Sequence, residues 1–286
     1  MMVNKGIVST LLLLATIFCG CKTAKSLEGF GAGMDGYKLV WADEFNKDGR
    51  PDTTAWRYEK GFVRNEEAQW YTDENAYCKN GVLIIEARKE SKPNPRYEAG
   101  SKDWRRVRQT IDYTSSSINT AGKHSWQYGI FVMRGRIDIS SGLWPAWWTL
   151  GVSGRWPANG EIDIMEHYKK KLLANIACIG ANRKAEWYSN RFSIDSMGGQ
   201  KWASNFHVWR MDWDEEAIAL YVDDVLLNKT ELNKLVNKDG SNSNPFKQPH
   251  YMLLDLALGG MNGGDFGDTK FPNRFEIDYV RVYQKK

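Results

Sequence analysis

The chain has 286 residues, of which 42% are hydrophobic and 26% charged, so it can bury a sizeable core and intrinsic disorder is excluded. Its formal net charge is +4, with acidic and basic residues interspersed, which is too small and too diffuse for a nucleic-acid interface. The 13 tryptophans are typical of a groove that stacks on flat ligands, or of an aromatic sheet core.

The N-terminal sequence resembles an export signal. An apolar run over residues 7–18 has the length of a secretory signal and is too short to span a bilayer. Gly20 and Cys21 follow, which resembles a bacterial lipoprotein signal that is cut before Cys21 and lipidated there. We therefore predict a signal peptide over residues 1–20 and a flexible, Gly-rich tether over residues 21–36.

This reading predicts a lipid anchor in the bacterial outer membrane, with the protein facing either the periplasm or the exterior. The alternative is an ordinary cleaved signal with two incidental cysteines. Beyond Cys21 the chain has two thiols, Cys78 and Cys178, which either pair in an oxidising compartment or lie buried as small apolar groups. No cysteine or histidine spacing predicts a zinc site.

From residue 37 to residue 286 the chain consists of short stretches of alternating polarity separated by turn residues. This pattern predicts one all-β domain of two large antiparallel sheets packed face to face. The clearest predicted strands are Val82–Ala87, Gly129–Ile137, Ala217–Val222, His250–Leu258 and Phe275–Tyr283. Between them, the segment Glu90–Arg108 contains two prolines and a basic run, which predicts a long exposed loop.

One predicted strand, over residues 160–168, carries three carboxylates. Because strand side chains alternate, Glu161 and Asp163 share one face and Glu166 would lie on the other. One extra residue, a β-bulge at Ile164–Met165, returns Glu166 to the acidic face, and such bulges are common beside active sites. Three adjacent carboxylates raise one another's pKa values, an unfavourable arrangement that indicates a functional role.

Paired carboxylates of this kind are what a retaining glycosidase uses, one as an ionised nucleophile and one as a proton donor. The third carboxylate can hydrogen-bond the nucleophile and separate the two pKa values. The alternative is a surface strand whose acidic side faces water. Four flanking tryptophans disfavour that alternative: Trp144, Trp147, Trp148 and Trp156.

The string WPANGEIDIMEHY at residues 156–168 resembles the active-site signature of glycoside hydrolase family 16, in the form typical of laminarinases and related endo-β-glucanases. Further segments resemble other parts of that family: Trp41–Phe45, Glu67–Thr72, Gly142–Trp148 and Asp278–Tyr283. The resemblance implies a concanavalin-like jelly-roll β-sandwich of two curved antiparallel sheets, with an open substrate cleft on its concave face.

The resemblance also implies roles for the three carboxylates: Glu161 as nucleophile, Asp163 as assisting residue and Glu166 as general acid/base. It implies endo cleavage of a β-linked polysaccharide, which is β-1,3-glucan or mixed-linkage β-1,3/1,4-glucan, or alternatively a β-galactan or a host O-glycan. No cofactor is required for this chemistry. We expect a monomer whose partner is the polysaccharide.

By position in similar enzymes, the candidates for sugar stacking are Trp144, Trp148 and Trp156, with Arg155 and Asn65 as polar contacts. For each tryptophan, burial in the core is the competing interpretation, because alternation sends neighbouring rings to opposite faces. Trp147 is predicted to lie in the core and His167 to be structural. For His207 a core position is favoured over an approach to the cleft.

Similar enzymes often hold a structural Ca²⁺ on the convex side. They use a carbonyl near an early Asn-Gly turn and the Asp of the closing strand, here Gly81 and Asp278, sometimes with a residue at the position of Glu44. Oxygen ligands suit Ca²⁺. Solvated polar groups are the competing interpretation of these scattered residues.

Several positions depart from the laminarinase pattern. Glu66 stands where Asn is usual, Asp255 stands where Asn is common, and residues 174–178 lack a frequent His. These changes leave the reaction intact and leave the linkage open. The rival from another class is a non-catalytic lectin on the same sandwich, which would explain the aromatic residues but would not need three aligned carboxylates.

Overall fold

The structure is a computed structural model, and it describes residues 35–286. The predicted signal peptide, the lipidation site Cys21 and all but the last two residues of the predicted tether lie outside this part of the chain. Within it, no helix is both long enough and apolar enough to cross a membrane.

Seventeen strands and two short α-helices form the described part of the chain. The strands are β1 (Tyr37–Asp43), β2 (Arg57–Tyr58), β3 (Trp70–Tyr71), β4 (Ala76–Lys79), β5 (Val82–Pro93), β6 (Thr110–Ser115), β7 (Ser117–Asn119), β8 (Gly129–Arg136), β9 (Leu143–Gly151), β10 (Glu161–Tyr168), β11 (Lys171–Ile179), β12 (Ala185–Ser193), β13 (His207–Trp213), β14 (Ala217–Val222), β15 (Val225–Glu231), β16 (His250–Leu258) and β17 (Asn273–Lys285). The helices are α1 (Gly199–Ala203) and α2 (Gly260–Gly263).

The strands build two sheets. A ten-stranded sheet has the order β15-β14-β13-β8-β17-β5-β6-β3, with β1 added to β17 and β4 added to β5. A seven-stranded sheet has the order β12-β11-β10-β9-β16-β7-β2. Pairing is antiparallel except between the short strands β3 and β6. The five clearest predicted strands are confirmed: they correspond to β5, β8, β14, β16 and β17, with Ile137 one residue beyond the end of β8.

The core lies between the two sheets, because each strand turns alternate apolar side chains inward. Trp147 from the seven-stranded sheet and Trp209 and Trp213 from the ten-stranded sheet are almost completely buried there. The core position predicted for Trp147 is confirmed. Burial of a large apolar side chain stabilises the folded state by roughly 1.5–3 kcal/mol.

Both described cysteines lie in this core as free thiols. Cys78 on β4 and Cys178 on β11 are buried and do not pair. Burial raises the pKa of Cys78 to about 12 and that of Cys178 to about 11, so both stay protonated. Of the two alternatives drawn from the sequence, the buried apolar group is therefore the correct one.

The predicted loop over residues 90–108 begins later than expected. Strand β5 continues to Pro93 because β6 pairs along its end, so the loop begins at Asn94. The side chain of Asn94 donates to the carbonyl of Arg108 at 2.8 Å, and Arg108 Nη1 donates to the carbonyl of Glu67 at 2.7 Å. The loop therefore supports the segment that leads into β3.

Candidate active site

The acidic strand β10 lies in the middle of the seven-stranded sheet, between β9 and β11. Its pairing with both neighbours shifts register between Asp163 and Glu166, which confirms the predicted bulge. Ile164 and Met165 are both buried in the core at this point, so alternation is interrupted by one residue. Consequently Glu161, Asp163 and Glu166 all project from the face that is turned away from the core, here called the outer face.

Glu166 is held by two donors from the neighbouring strands. Trp144 Nε1 on β9 donates to Glu166 Oε1 at 2.7 Å, and Asn175 Nδ2 on β11 donates to Glu166 Oε2 at 2.8 Å. The same Asn175 amide donates to Asp163 Oδ2 at 3.0 Å. One side chain therefore positions two of the three carboxylates relative to each other.

Glu161 is held from a different direction. Trp156 Nε1, from the loop that precedes β10, donates to Glu161 Oε2. Asp163 also shares a hydrogen bond with Glu161, which favours a protonated Asp163 and an ionised Glu161. Glu161 is half-buried, whereas Asp163 and Glu166 are buried. Of the three carboxylates, Glu161 is thus the one most open to a ligand on the outer face.

The three pKa values are raised, first of all by burial. Burial and the neighbouring charges of Glu161 and Glu166 raise the pKa of Asp163 well above its usual value. Burial raises the pKa of Glu166 to about 8, against the hydrogen bond from Trp144. Burial also raises the pKa of Glu161, but the hydrogen bonds from Trp156 and Asp163 and the charge of Arg64 act in the opposite direction. A protonated Glu166 beside a stabilised Glu161 carboxylate suits one acid and one nucleophile.

A second charged cluster, which the sequence did not reveal, adjoins this site. The Arg64 guanidinium lies 5.1 Å from the centre of the Trp148 ring and pairs with Glu59. Asp255 on β16 accepts hydrogen bonds from Trp148 Nε1 at 2.6 Å and from the Tyr71 hydroxyl at 3.1 Å. Two of its residues stood out separately in the sequence, Asp255 as a departure from the family pattern and Tyr71 within the segment Glu67–Thr72, but the sequence does not show that they meet.

Burial also perturbs the acids of this cluster. It raises the pKa of Asp255 to about 6, although the charge of Arg64 opposes the shift. It raises the pKa of Glu67 to about 7, again against Arg64. Glu67 accepts hydrogen bonds from Gln69 Nε2 at 2.7 Å and from Asn65 Nδ2 at 3.1 Å. The cluster therefore places one cation and several buried carboxyl groups beside the three carboxylates of β10.

The five predicted binding residues occupy different positions. Trp144 and Trp148 are on the outer face but expose only 7% and 8% of their surface, so they meet the carboxylates mainly through their ring nitrogens. Trp156 is 54% exposed beside Glu161, and its ring is available to a ligand. Arg155 is exposed next to it. Asn65 is half-buried and its amide donates to Glu67, so it belongs to the second cluster.

The two histidines singled out from the sequence do not face the carboxylates. His167 follows Glu166 on β10 and is buried, and burial lowers its pKa to about 4. His207 lies on β13 of the other sheet, where Nδ1 meets Asp223 at 2.5 Å and Nε2 meets the carbonyl of Trp202 at 2.8 Å. His207 is therefore a hydrogen-bonded residue of the other sheet, as predicted, whereas neither ring nitrogen of the buried His167 has a hydrogen-bond partner among the described residues.

The residues predicted to hold Ca²⁺ do not fit that ion. The Asp278 carboxylate accepts from Arg134 Nη1 at 2.7 Å, and the Glu44 carboxylate accepts from Arg281 Nε at 2.6 Å and Nη2 at 2.9 Å. A guanidinium therefore already neutralises each carboxylate, and a cation beside it would be repelled. Gly81 supplies only a turn carbonyl. Residues 35–286 hold no group of three or more His, Cys, Asp or Glu side chains suited to a metal.

Comparison with known proteins agrees with this geometry. The chain is similar to a beta-glucanase from Rhodothermus marinus, with 36% identity over 264 residues that cover 87% of this chain and 85% of that protein. It superposes on the laminarinase catalytic domain from Thermotoga maritima with a TM-score of 0.71 and 32% identity. The superposition covers 88% of this chain and 100% of the laminarinase chain.

It also superposes on a structure from work on endo-acting O-glycanases that prominent members of the human gut microbiota express to initiate mucin breakdown. There the TM-score is 0.79 at 32% identity, covering 88% of this chain and 92% of that one. The sequence pattern of the glycosyl hydrolases family 16 matches residues 64–281, which include every residue of both clusters except Glu59. The chain therefore belongs to glycosyl hydrolase family 16, and it is a glycoside hydrolase with that family's jelly-roll fold.

Proposed function

We propose that the protein is a retaining, endo-acting β-glucanase that cuts β-1,3-glucan or mixed-linkage β-1,3/1,4-glucan. The observation that carries this proposal is the bulged strand β10, which presents Glu161, Asp163 and Glu166 on one face with distinct hydrogen-bond partners. The similarity to a beta-glucanase and to a laminarinase supports the glucan as substrate.

In the first step, the Glu161 carboxylate attacks the anomeric carbon while Glu166 gives its proton to the departing glycosidic oxygen. The anomeric carbon–oxygen bond breaks and a glycosyl ester of Glu161 forms. The raised pKa of Glu166 keeps its proton available near neutral pH. Trp144 and Asn175 then stabilise the Glu166 carboxylate that remains after the transfer.

In the second step, the Glu166 carboxylate takes a proton from water, and the water oxygen attacks the same anomeric carbon from the face that the leaving group vacated. Glu161 departs as a carboxylate, which Trp156 and Asp163 receive with hydrogen bonds. Two inversions at one carbon give a product with the β configuration of the substrate. This two-carboxylate chemistry needs no cofactor.

The experiment is reducing-sugar release from a panel that contains a β-1,3-glucan, a mixed-linkage β-glucan, a β-galactan and an O-glycan. We expect cleavage of the first two by wild type and a loss of several orders of magnitude in Glu161→Gln. Glu215→Gln, at an exposed turn of the ten-stranded sheet, removes a comparable carboxylate and should leave the rate unchanged. Release from the galactan or the O-glycan alone would overturn the glucan assignment, and binding without cleavage would favour a lectin.

For the N-terminal segment we propose export and lipid anchoring at Cys21, on the sequence pattern alone. An acyl chain contributes about 0.8 kcal/mol per buried CH₂, and several chains together give durable attachment. Cys21→Ala should move the protein from the membrane pellet to the soluble fraction or stop its maturation. A soluble wild-type protein whose N-terminus lies beyond Cys21 would favour the ordinary cleaved signal.

A further inference from the structure

The edge strand of the seven-stranded sheet, β12, carries an exposed tryptophan that no step above uses. Trp187 is 45% exposed, and of the tryptophans within residues 35–286 only Trp156 and Trp187 are exposed. Trp156 donates to Glu161 in the active site. A half-exposed aromatic ring is available to stack on the apolar face of a ligand.

The strand register places Trp187 on the same face as the three carboxylates. Asn175, whose amide reaches Asp163 and Glu166, pairs with Ser189 on β12. Ser189 and Trp187 are two residues apart and therefore share the outer face. On the opposite face, Tyr188 and Phe192 pack against the core.

The same register also places Trp187 level with the proposed nucleophile. Ala177 on β11 pairs with both Glu161 and Trp187, so the three residues form one row across the sheet. Two strand spacings, about 10 Å, separate the backbones of Trp187 and Glu161. Ala177, the residue of β11 in this row, carries only a methyl group on the outer face.

Arg191 completes this surface. Leu173 on β11 pairs with both Glu166 and Arg191, so these three residues form a second row across the sheet. Arg191 follows Trp187 by four residues on β12 and therefore lies on the same outer face. Its side chain is exposed, and within residues 35–286 no carboxylate pairs with it, although its charge lowers the pKa of Glu166. Trp187 and Arg191 lie on the same face of β12, about 13 Å apart along the strand. An aromatic ring and an unpaired guanidinium suit a sugar, which offers an apolar ring face and hydroxyl oxygens.

We propose that the outer face of β12 is a further sugar-binding subsite, in which Trp187 stacks on one β-linked hexose of the substrate and Arg191 donates to its hydroxyl oxygens. The occupant is the same polysaccharide chain that lies across β10, because the rows of Glu161 and Glu166 continue directly onto β12. This inference deepens the proposed function and rests on it for the identity of the sugar.

The test measures binding without turnover, in the Glu161→Gln background. Affinity is measured for oligosaccharides of increasing length derived from the polysaccharide that the wild type cleaves. We expect Trp187→Ala to abolish the gain from one added sugar and to weaken the longest oligosaccharide about tenfold, with the shortest unaffected. Trp187→Phe should restore part of the gain. Arg191→Ala should weaken the same increment, and Arg191→Lys should restore it only in part, because a single ammonium cannot replace the guanidinium fork.

Leu226→Ala, which removes an exposed apolar side chain from β15 of the other sheet, serves as the matched control and should not change affinity. A uniform loss at every length would assign Trp187 a structural role and overturn the subsite. Unchanged affinity at every length would overturn it as well. If the wild type cleaves no polysaccharide of the panel, binding is measured by affinity electrophoresis in gels that contain each polysaccharide. The wild type and the Trp187 and Arg191 variants are then compared for retardation. The subsite and the proposed activity can therefore fail separately.

Discussion

Asp255 adds negative charge beside the proposed acid/base, and its removal should shift the pH profile. Asp255 and Glu166 both pair with Ala146, so two strand spacings, about 10 Å, separate their backbones. Burial raises the pKa of Asp255 to about 6, and the charge of Asp255 in turn contributes to the raised pKa of Glu166, about 8. Near pH 8 Asp255 is therefore ionised while Glu166 titrates.

The Asp255→Asn variant removes that charge and keeps the shape of the side chain. Two unit charges about 10 Å apart interact by about 0.4 kcal/mol in water and about 1.7 kcal/mol at an effective dielectric constant of about 20. These energies correspond to roughly 0.3–1.2 pKa units. Because the neighbouring Arg64 offsets part of the Asp255 charge, we expect the lower part of this range.

The sign follows from the role of Glu166, which must be protonated to act as the acid. Loss of the Asp255 charge makes ionisation of Glu166 easier, so its pKa falls and the basic limb of activity moves to lower pH. The assay is kcat/KM on the natural polysaccharide between pH 4 and about 10 for wild type, Asp255→Asn and the control Glu215→Gln. If the basic limb stays in place in Asp255→Asn, or moves to higher pH, the charge of Asp255 does not raise the pKa of Glu166.

Three further predictions concern the same chemistry. Glu166→Ala should lose activity on the polysaccharide yet retain part of it on aryl glycosides, whose leaving groups need little protonation; equal losses on both substrates, compared by initial rates, would remove Glu166 from the acid role. The first product should have the β configuration when proton NMR is recorded before mutarotation, and an initial α product would contradict a double displacement. Treatment with a chelator should change neither the melting temperature nor the rate, because Arg134 and Arg281 already neutralise Asp278 and Glu44; a clear drop in melting temperature that Ca²⁺ reverses would show that a metal site had been missed.

The sequence predicted the acidic strand well because its information is local. Alternation along β10 and one inserted residue suffice to place Glu161, Asp163 and Glu166 on one face, and the register shift confirms it. Trp147 could likewise be assigned to the core, because Trp148 beside it must then take the other face.

Contacts between strands that are distant in sequence could not be predicted in this way. The sequence did not single out Asn175, because its two hydrogen bonds depend on the register between β10 and β11. The cluster of Arg64 and Asp255 joins residues that lie 191 positions apart, from 64 to 255, and no periodicity encodes their meeting. Trp187 escaped notice for the same reason, since its face is fixed by pairing with Ala177.

If Glu161 is the nucleophile, its glycosyl ester can be trapped on the enzyme. A 2-deoxy-2-fluoro β-glycosyl fluoride of a short substrate oligosaccharide slows the second step more than the first, so the ester accumulates and peptide mass spectrometry locates it. We expect one label, on Glu161, with time-dependent loss of activity. A label on Glu166 or on any other residue would contradict the assignment of the nucleophile on which the mechanism rests.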